Sequence, residues 1–331
     1  AQGLALARAA VDLAQRQPAT VRAGAGVELM HLLGRLGRND EVLAAADAAL
    51  AAAREAGEPH QEAVALNQLG MSSFDRGDLE TAIGHYEAAL RIHRALARPD
   101  NEGGTLANLG FAHLGLGELD TARTLFERAA VLCQQVGQLQ NLGIVEINLG
   151  IVALNLGDAD AAAAWAARAQ ARLAAAGDRW AEAAAQRVAG QAALAQGRPA
   201  AARPLLQAAQ AQLEALGQPA LALEAAAAHA EAALAMGDVA QAATLARAVL
   251  AALDGGLSLE GTDEPLRAWC SVWRVLQAAG DARAAEALAR GRAELQRRAG
   301  AIASATRRAR FLQAVPVHRA LQAGAAVLSS G

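Results

Sequence analysis

Apolar residues recur at three- and four-residue spacing along most of the chain, in stretches of about 17 residues, most of which close on glycine. Ala63, Leu66, Leu69 and Gly70 form one such stripe, and Leu79, Ala82, Ile83, Tyr86 and Leu90 the next. The pattern predicts amphipathic helices joined by short turns. Gly37, Gly77, Gly117, Gly157, Gly197 and Gly237 stand 40 residues apart, and Gly57, Gly137, Gly177 and Gly217 fall half a period away, with Pro59, Pro99 and Pro219 beside them. Two turns therefore recur per unit, and each unit is expected to be a helical hairpin. Glycine accepts the left-handed conformation that closes a helix, a following Asp such as Asp78 or Asp158 can cap the next, and proline fits a first helical turn.

Small residues keep the same phase. Gly70, Gly110, Gly150 and Gly190 lie in the first helix of their units, and Ala82, Ala122, Ala162, Ala202 and Ala242 in the second. Four positions on comes a filler (Tyr86, Phe126, Ala166, Leu206 or Ala246), then another small residue (Ala89, Ala129, Ala169 or Ala209). Leu69-Gly70 with Ala82, Tyr86 and Ala89, and Leu109-Gly110 with Ala122, Phe126 and Ala129, resemble the tetratricopeptide repeat. The 40-residue period and the strings Asn108-Leu109-Gly110 and Asn148-Leu149-Gly150 are similar to the long-helix subclass of kinesin light chains and of the sensor arrays in bacterial signalling ATPases and transcription regulators. The resemblance implies an all-α, right-handed superhelical solenoid of antiparallel helix hairpins.

The phase also sets boundaries. Leu6 and Ala9 take the positions of Tyr86 and Ala89, so residues 1–17 read as the second helix of a truncated repeat, as expected for a piece of a longer polypeptide. Residues 18–254 hold six regular hairpins. Three extra residues around Gly255-Gly256 and Glu260 to Pro265 then break the phase, leaving 255–300 as a modified terminal pair and 301–331 as a basic helical tail broken near Pro316. Trp273 occupies the position of Gly70 in its own unit, with Trp269 a turn earlier, so this pair cannot nestle as the others do. Pro204 is expected to delay or kink its helix.

Composition alters this picture little. The aromatic fraction is 3%, and all 30 basic residues are arginine, as in a GC-rich bacterial coding bias. A formal charge of −3 gives no general attraction to nucleic acid or membranes, and no direct binding of either is expected. The segment from Ala282 to Gly331 is locally basic, which reads as a solvated face or, alternatively, a phosphate-contacting patch. Cys133 and Cys270 are isolated and read as buried thiols. No signal peptide opens the chain, and a cytoplasmic location is inferred. There is no H-E-x-x-H, G-x-S-x-G, Walker loop or paired-Cys motif, so neither enzyme chemistry nor a cofactor or metal site is expected.

Binding is the function expected, along the face formed by the first helix of each unit. The resemblance places Gln68, Asn108 and Asn148 there, with Met71, Phe111 and Ile151 just after the motif glycine; Asp75, Asn155, Arg187, Gln191 and Glu231 fall on similar faces. The amides would hydrogen-bond the backbone of a protein or peptide segment while Met71 and Phe111 take its apolar side chains. The partner expected is a protein or peptide, including an upstream domain of the same polypeptide, in the C-terminal regulatory region of a larger bacterial signalling protein such as an ATPase-type regulator or a cyclase. The competing expectation is a structural spacer or oligomerisation scaffold that self-associates through an end or through the basic helices.

Overall fold

The computed structural model describes residues 2–328 except 16, 37, 260 and 261. Seventeen α-helices and no strands occur among the described residues. After α1 (Gln2–Ala14) come six hairpins: α2 (Ala19–Arg35) with α3 (Asn39–Ala56), α4 (Pro59–Asp75) with α5 (Leu79–Ala95), α6 (Pro99–Gly115) with α7 (Leu119–Gln135), α8 (Leu139–Leu156) with α9 (Ala159–Ala176), α10 (Arg179–Ala195) with α11 (Pro199–Ala215), and α12 (Pro219–Ala235) with α13 (Val239–Asp254). A longer connection leads to α14 (Pro265–Ala278) and α15 (Ala284–Ala301), and the chain closes with α16 (Ala305–Ala314) and α17 (Pro316–Leu328). The chain divides into two compact units, residues 1–115 with 128–137 and residues 116–127 with 138–331.

The turns follow from their residues. Glycines at 57, 77, 117, 137, 157, 177, 197, 217 and 237 all have φ between 68 and 83°; Gly37 lies outside the described residues. At position 97 the series has alanine instead, and Ala97 is forced to φ 52°, a conformation that costs an L-residue about 1–2 kcal/mol. Asp78, Asp158, Asp178 and Asp238 each accept a hydrogen bond from the backbone N–H three residues on, at 2.9–3.1 Å.

Packing in each unit follows the phased small residues. In the first unit, a Cβ on Gly70 would lie 2.5 Å from the Tyr86 ring, so only glycine leaves room for that side chain. Burial and, secondarily, Asp75 raise the Tyr86 phenol pKa. In the second unit Gly190 receives Leu206 and Gly143 receives Leu173 in the same way. Ala162, Ala169, Ala202, Ala209 and Ala242 are fully buried. Pro204 does not delay its helix: α11 begins at Pro199, in phase with α5 and α9, because Ala202, Leu206, Ala209 and Leu213 are anchored in the core and outweigh one lost backbone hydrogen bond. The helix Leu139–Leu156 is long and apolar enough to cross a membrane by composition, but most of it is buried against its neighbours.

The terminal pair reverses the rule. Trp269 and Trp273 of α14 are buried, and the glycines that accept them are Gly291 of α15 and Gly324 of α17, where a Cβ would come within 2.9 Å of the Trp269 Cβ and 2.8 Å of the Trp273 indole. The large residue has moved to the first helix and the small one to its partners. The nine arginines beyond Ala282 all have acceptors: Arg283 and Arg290 pair with Asp254 and Glu286, Arg297 and Arg298 with Glu294, and Arg307 and Arg310 with Glu118. Arg292, Arg308 and Arg319 donate to main-chain carbonyls. The basic end is thus largely committed to internal contacts. Both cysteines are free and buried, and desolvation raises the Cys270 thiol to about 11.

Candidate functional site

In the first unit, the face formed by α4 and α6 carries a short polar and apolar ladder. Asn108 donates to the Asn67 side-chain oxygen at 3.2 Å, so its amide partner is Asn67 rather than the in-phase Gln68. Phe111 lies with its ring centroid 5.0 Å from Phe74, and both rings are only part-buried. Met71 is 40% exposed, with its sulfur 3.9 Å from the Asn67 amide nitrogen. Gln68 is part-buried and Asp75 exposed. These side chains offer an amide and a large apolar surface side by side.

The corresponding face of the second unit is arranged differently. Three successive first helices contribute one polar residue each: Asn155 from α8, Arg187 from α10 and Glu224 from α12. All three are buried, and Arg187 has no exposed surface. Asp263 and Glu264, immediately before α14, close over them. Arg187 donates through Nη2 to Asp263 at 2.5 Å and through Nη1 to Glu264 at 3.5 Å, with Glu224 at 3.6 Å. Gln191, one turn along α10, accepts from Arg187 Nη1 at 3.4 Å. Asn155 donates to Glu264 at 3.2 Å and accepts from Arg267 at 3.0 Å, while Arg267 also donates to Glu264 at 2.7 Å. Glu224 in turn accepts the backbone N–H of Glu264 at 2.6 Å.

The electrostatics of this cluster are unbalanced. Glu224, Asp263 and Glu264 face Arg187 and Arg267, so the anions outnumber the cations in a desolvated space. Burial pushes the Glu224 carboxyl up to about 7, with Arg187 opposing and Asp263 adding to the rise. Burial also raises Asp263 against the pull of Arg187. Glu264 alone ends below the usual carboxylate range: burial raises it, but Arg267, Arg187 and the hydrogen bonds from Arg267 and Asn155 overcome that. Arg187 Nε and Glu224 Oε2 find no hydrogen-bond partner among the described residues.

Of the remaining sequence candidates, Asn148 is part-buried, and Ile151 is fully buried and is core. An open contact role for Ile151 is therefore corrected: α8 sits deep enough that this position packs inward. Glu231 is part-exposed, and desolvation raises its carboxyl against Arg274, Arg267 and a hydrogen bond with Ser271. Sequence reasoning missed Asn67, Glu224, Asp263, Glu264 and Arg267. No group of three or more metal-binding side chains occurs among the described residues.

Tetratricopeptide repeat family models match residues 63–101 and 101–175, spanning units whose glycine and alanine contacts are those just described. Residues 63–175 are tetratricopeptide repeats. Solved structures similar to this tetratricopeptide array include BtubC (BKLC) from P. vanneervenii, at 21% identity over 65% of this chain and 91% of that one, with a TM-score of 0.56. A STAND signal-transduction ATPase with a tetratricopeptide repeat sensor, from Pyrococcus horikoshii, matches at 15% identity and a TM-score of 0.58. That match covers 82% of this chain but 42% of the ATPase. A Rap protein complexed with competence and sporulation factor matches at 13% identity and a TM-score of 0.58, over 93% of this chain and 98% of its own. At these identities the likeness is one of fold. No curated protein matches the sequence.

Proposed function

We propose that this tetratricopeptide array is a non-catalytic interaction and sensing module, the regulatory part of a larger cytoplasmic signalling protein, that takes a peptide or partner segment along its first-helix face. The observation that carries this reading is the Asn67, Met71, Asn108 and Phe111 surface, where a bonded amide pair lies beside a 40% exposed methionine and a part-buried aromatic pair. Exposed Met and aromatic side chains supply adaptable apolar contact, and amides supply backbone hydrogen bonds. The sensor role of the similar array in the STAND protein and the factor bound by the similar Rap protein support the same reading.

The test is capture of partners by the immobilised chain from an extract of the organism that encodes it, with Met71→Glu and Asn108→Ala as comparisons. A specific partner should be retained by the wild type and depleted at least about tenfold by each variant at unchanged melting temperature. Equal retention by both variants would remove this face from the interaction.

A further inference from the structure

We propose that α16 is a strap within the second unit, which opens while α15 and α17 stay folded and which, when closed, covers an apolar and acidic patch of Leu116, Glu118 and Leu119 on the turn before α7. The patch lies on a turn between helices, so the inference stands apart from the reading of the first-helix face as a binding surface.

One turn of the array is buried where its counterparts are not. Leu116 has no exposed surface, whereas Leu36, Leu156 and Met236, which hold the same place in their units, are 39–49% exposed. Gly117, Glu118 and Leu119 are buried with it, while the glycines and capping aspartates at 77–78, 157–158 and 237–238 are exposed. What covers the turn comes from beyond three further hairpins. A Cβ on Gly117 would lie 3.2 Å from Val315 Cγ2 and 3.4 Å from Phe311 Cα, and the Glu118 carboxylate lies 3.3 Å from Arg307 Nε and 3.8 Å from Arg310 Nη1. Arg307, Arg310 and Phe311 share one side of α16, at spacings of three and four residues. The strap is otherwise lightly held. Among the described residues Phe311 is the one buried side chain of α16, whereas α15 buries Leu288, Leu295 and Ala299 and α17 buries Leu321 and Gly324. The chain is extended on both sides of α16, at Ile302 and Val315, so hinges and not continuous helix join it to its neighbours. From α17, His318 donates through Nδ1 to the Phe311 carbonyl at 2.7 Å, and the two rings pack with centroids 4.4 Å apart. A helix with one buried side chain and ion pairs to partly exposed arginines opens at lower free energy than well-buried helices beside it. Opening bares Leu116 and Leu119 on either side of the Glu118 carboxylate, so the strap switches this turn between a covered and an apolar, acidic state.

The experiment uses the full chain and reads each partner of the contact while the other is altered. Amide hydrogen exchange follows α15, α16 and α17 separately, and carbodiimide coupling of glycine ethyl ester follows the Glu118 carboxyl against that of the exposed Glu214. In the wild type α16 is expected to exchange at least about tenfold faster than α15 and α17, relative to the unfolded rates of the same sequences. Gly117→Ala and Gly197→Ala both set alanine at φ 70° and carry the same backbone penalty, but only at Gly117 does the added Cβ meet Val315 and Phe311; nothing lies within 4 Å of it at Gly197. Gly117→Ala should therefore speed exchange of α16 at least about tenfold with α15 and α17 unchanged, and Gly197→Ala should leave α16 as in the wild type. Phe311→Ala should raise labelling of Glu118 at least about tenfold. Should Phe311→Ala also open α17, Arg307→Gln, which removes one ion pair and keeps Phe311, is measured instead, with a rise of about threefold expected. Exchange of wild-type α16 as slow as that of α15, equal exchange of α16 in the two glycine variants, or Glu118 labelling that does not move when the strap is altered would each overturn the proposal.

Discussion

Replacing Arg187 by methionine keeps much of the side-chain volume but removes the cation from a site that retains Glu224, Asp263 and Glu264. Arg187 is wholly buried and lies 2.5, 3.5 and 3.6 Å from the three carboxylates. Breaking a buried ion pair from one side costs about 3–5 kcal/mol, because the opposite charges stay behind unpaired. At roughly 2–4 °C per kcal/mol for a unit of this size, the second unit should melt roughly 6–20 °C lower at pH 8. The loss should also depend on pH in a defined direction. Without Arg187 all three folded pKa values rise: those of Glu224 and Asp263 move further above their unfolded values, and Glu264 loses part of what holds it below. A group with a raised folded pKa contributes stability that is present below its unfolded pKa and lost as pH rises through the folded one. The deficit relative to wild type, compared at each pH, should thus be largest at pH 8 and shrink toward pH 5. All four tryptophans (Trp165, Trp180, Trp269 and Trp273) lie in the second unit, so tryptophan emission, excited selectively over Tyr86, follows that unit alone. A deficit equal at pH 5 and pH 8 would mean that lost packing rather than uncompensated charge is responsible, and no deficit would refute the cluster's role altogether.

Glu224→Gln keeps an oxygen for the Glu264 N–H and removes a carboxyl held at about 7; it should stabilise the second unit by about 1–3 kcal/mol at pH 8 and by little at pH 5, measured by the same melts. Ala97→Gly relieves the positive φ at that turn and should raise the stability of the first unit by about 1 kcal/mol in circular-dichroism denaturation; an unchanged or lowered midpoint would contradict the strain. Gly190→Ala sets a Cβ 2.5 Å from Leu206 and 3.4 Å from the Ala202 carbonyl, and overpacking of about 1–3 kcal/mol should outweigh the roughly 1 kcal/mol gained in helix propensity. Adding Leu206→Ala should cost less than the sum of the two single changes.

The helices and turns were legible because each depends on residues close in sequence. A glycine every 40 positions specifies a left-handed turn, and the alanines 82, 122, 162, 202 and 242 mark the packed side of the second helices whatever else surrounds them. The candidate site was legible only where it follows the same period. Asn108 and Phe111 were found by phase, yet Asn108 pairs with Asn67, one position out of register, a contact between two helices that counting along the chain does not specify. The charged cluster was out of reach for a different reason. Arg187 and Asp263 lie 76 residues apart, and their meeting depends on an insertion with no counterpart in the other units. The signals available were an acidic run at Glu260 to Glu264 and a lone arginine on a face otherwise rich in amides and alanine.

The exchange of large and small residues in the terminal pair bears on how such an array can change length in evolution. Hairpins such as those of Gly70 with Tyr86 and Gly190 with Leu206 offer a glycine to a bulky residue, so a 40-residue module can be duplicated or deleted between such modules with socket still matched to plug. At α14 the bulky residue is on the wrong helix, and Gly324 of α17 already encloses Trp273. A duplicated module placed after α15 would meet an occupied socket. Growth and loss of repeats should therefore be confined to the region before α14, where relatives of different length would be expected to differ by whole multiples of 40 residues.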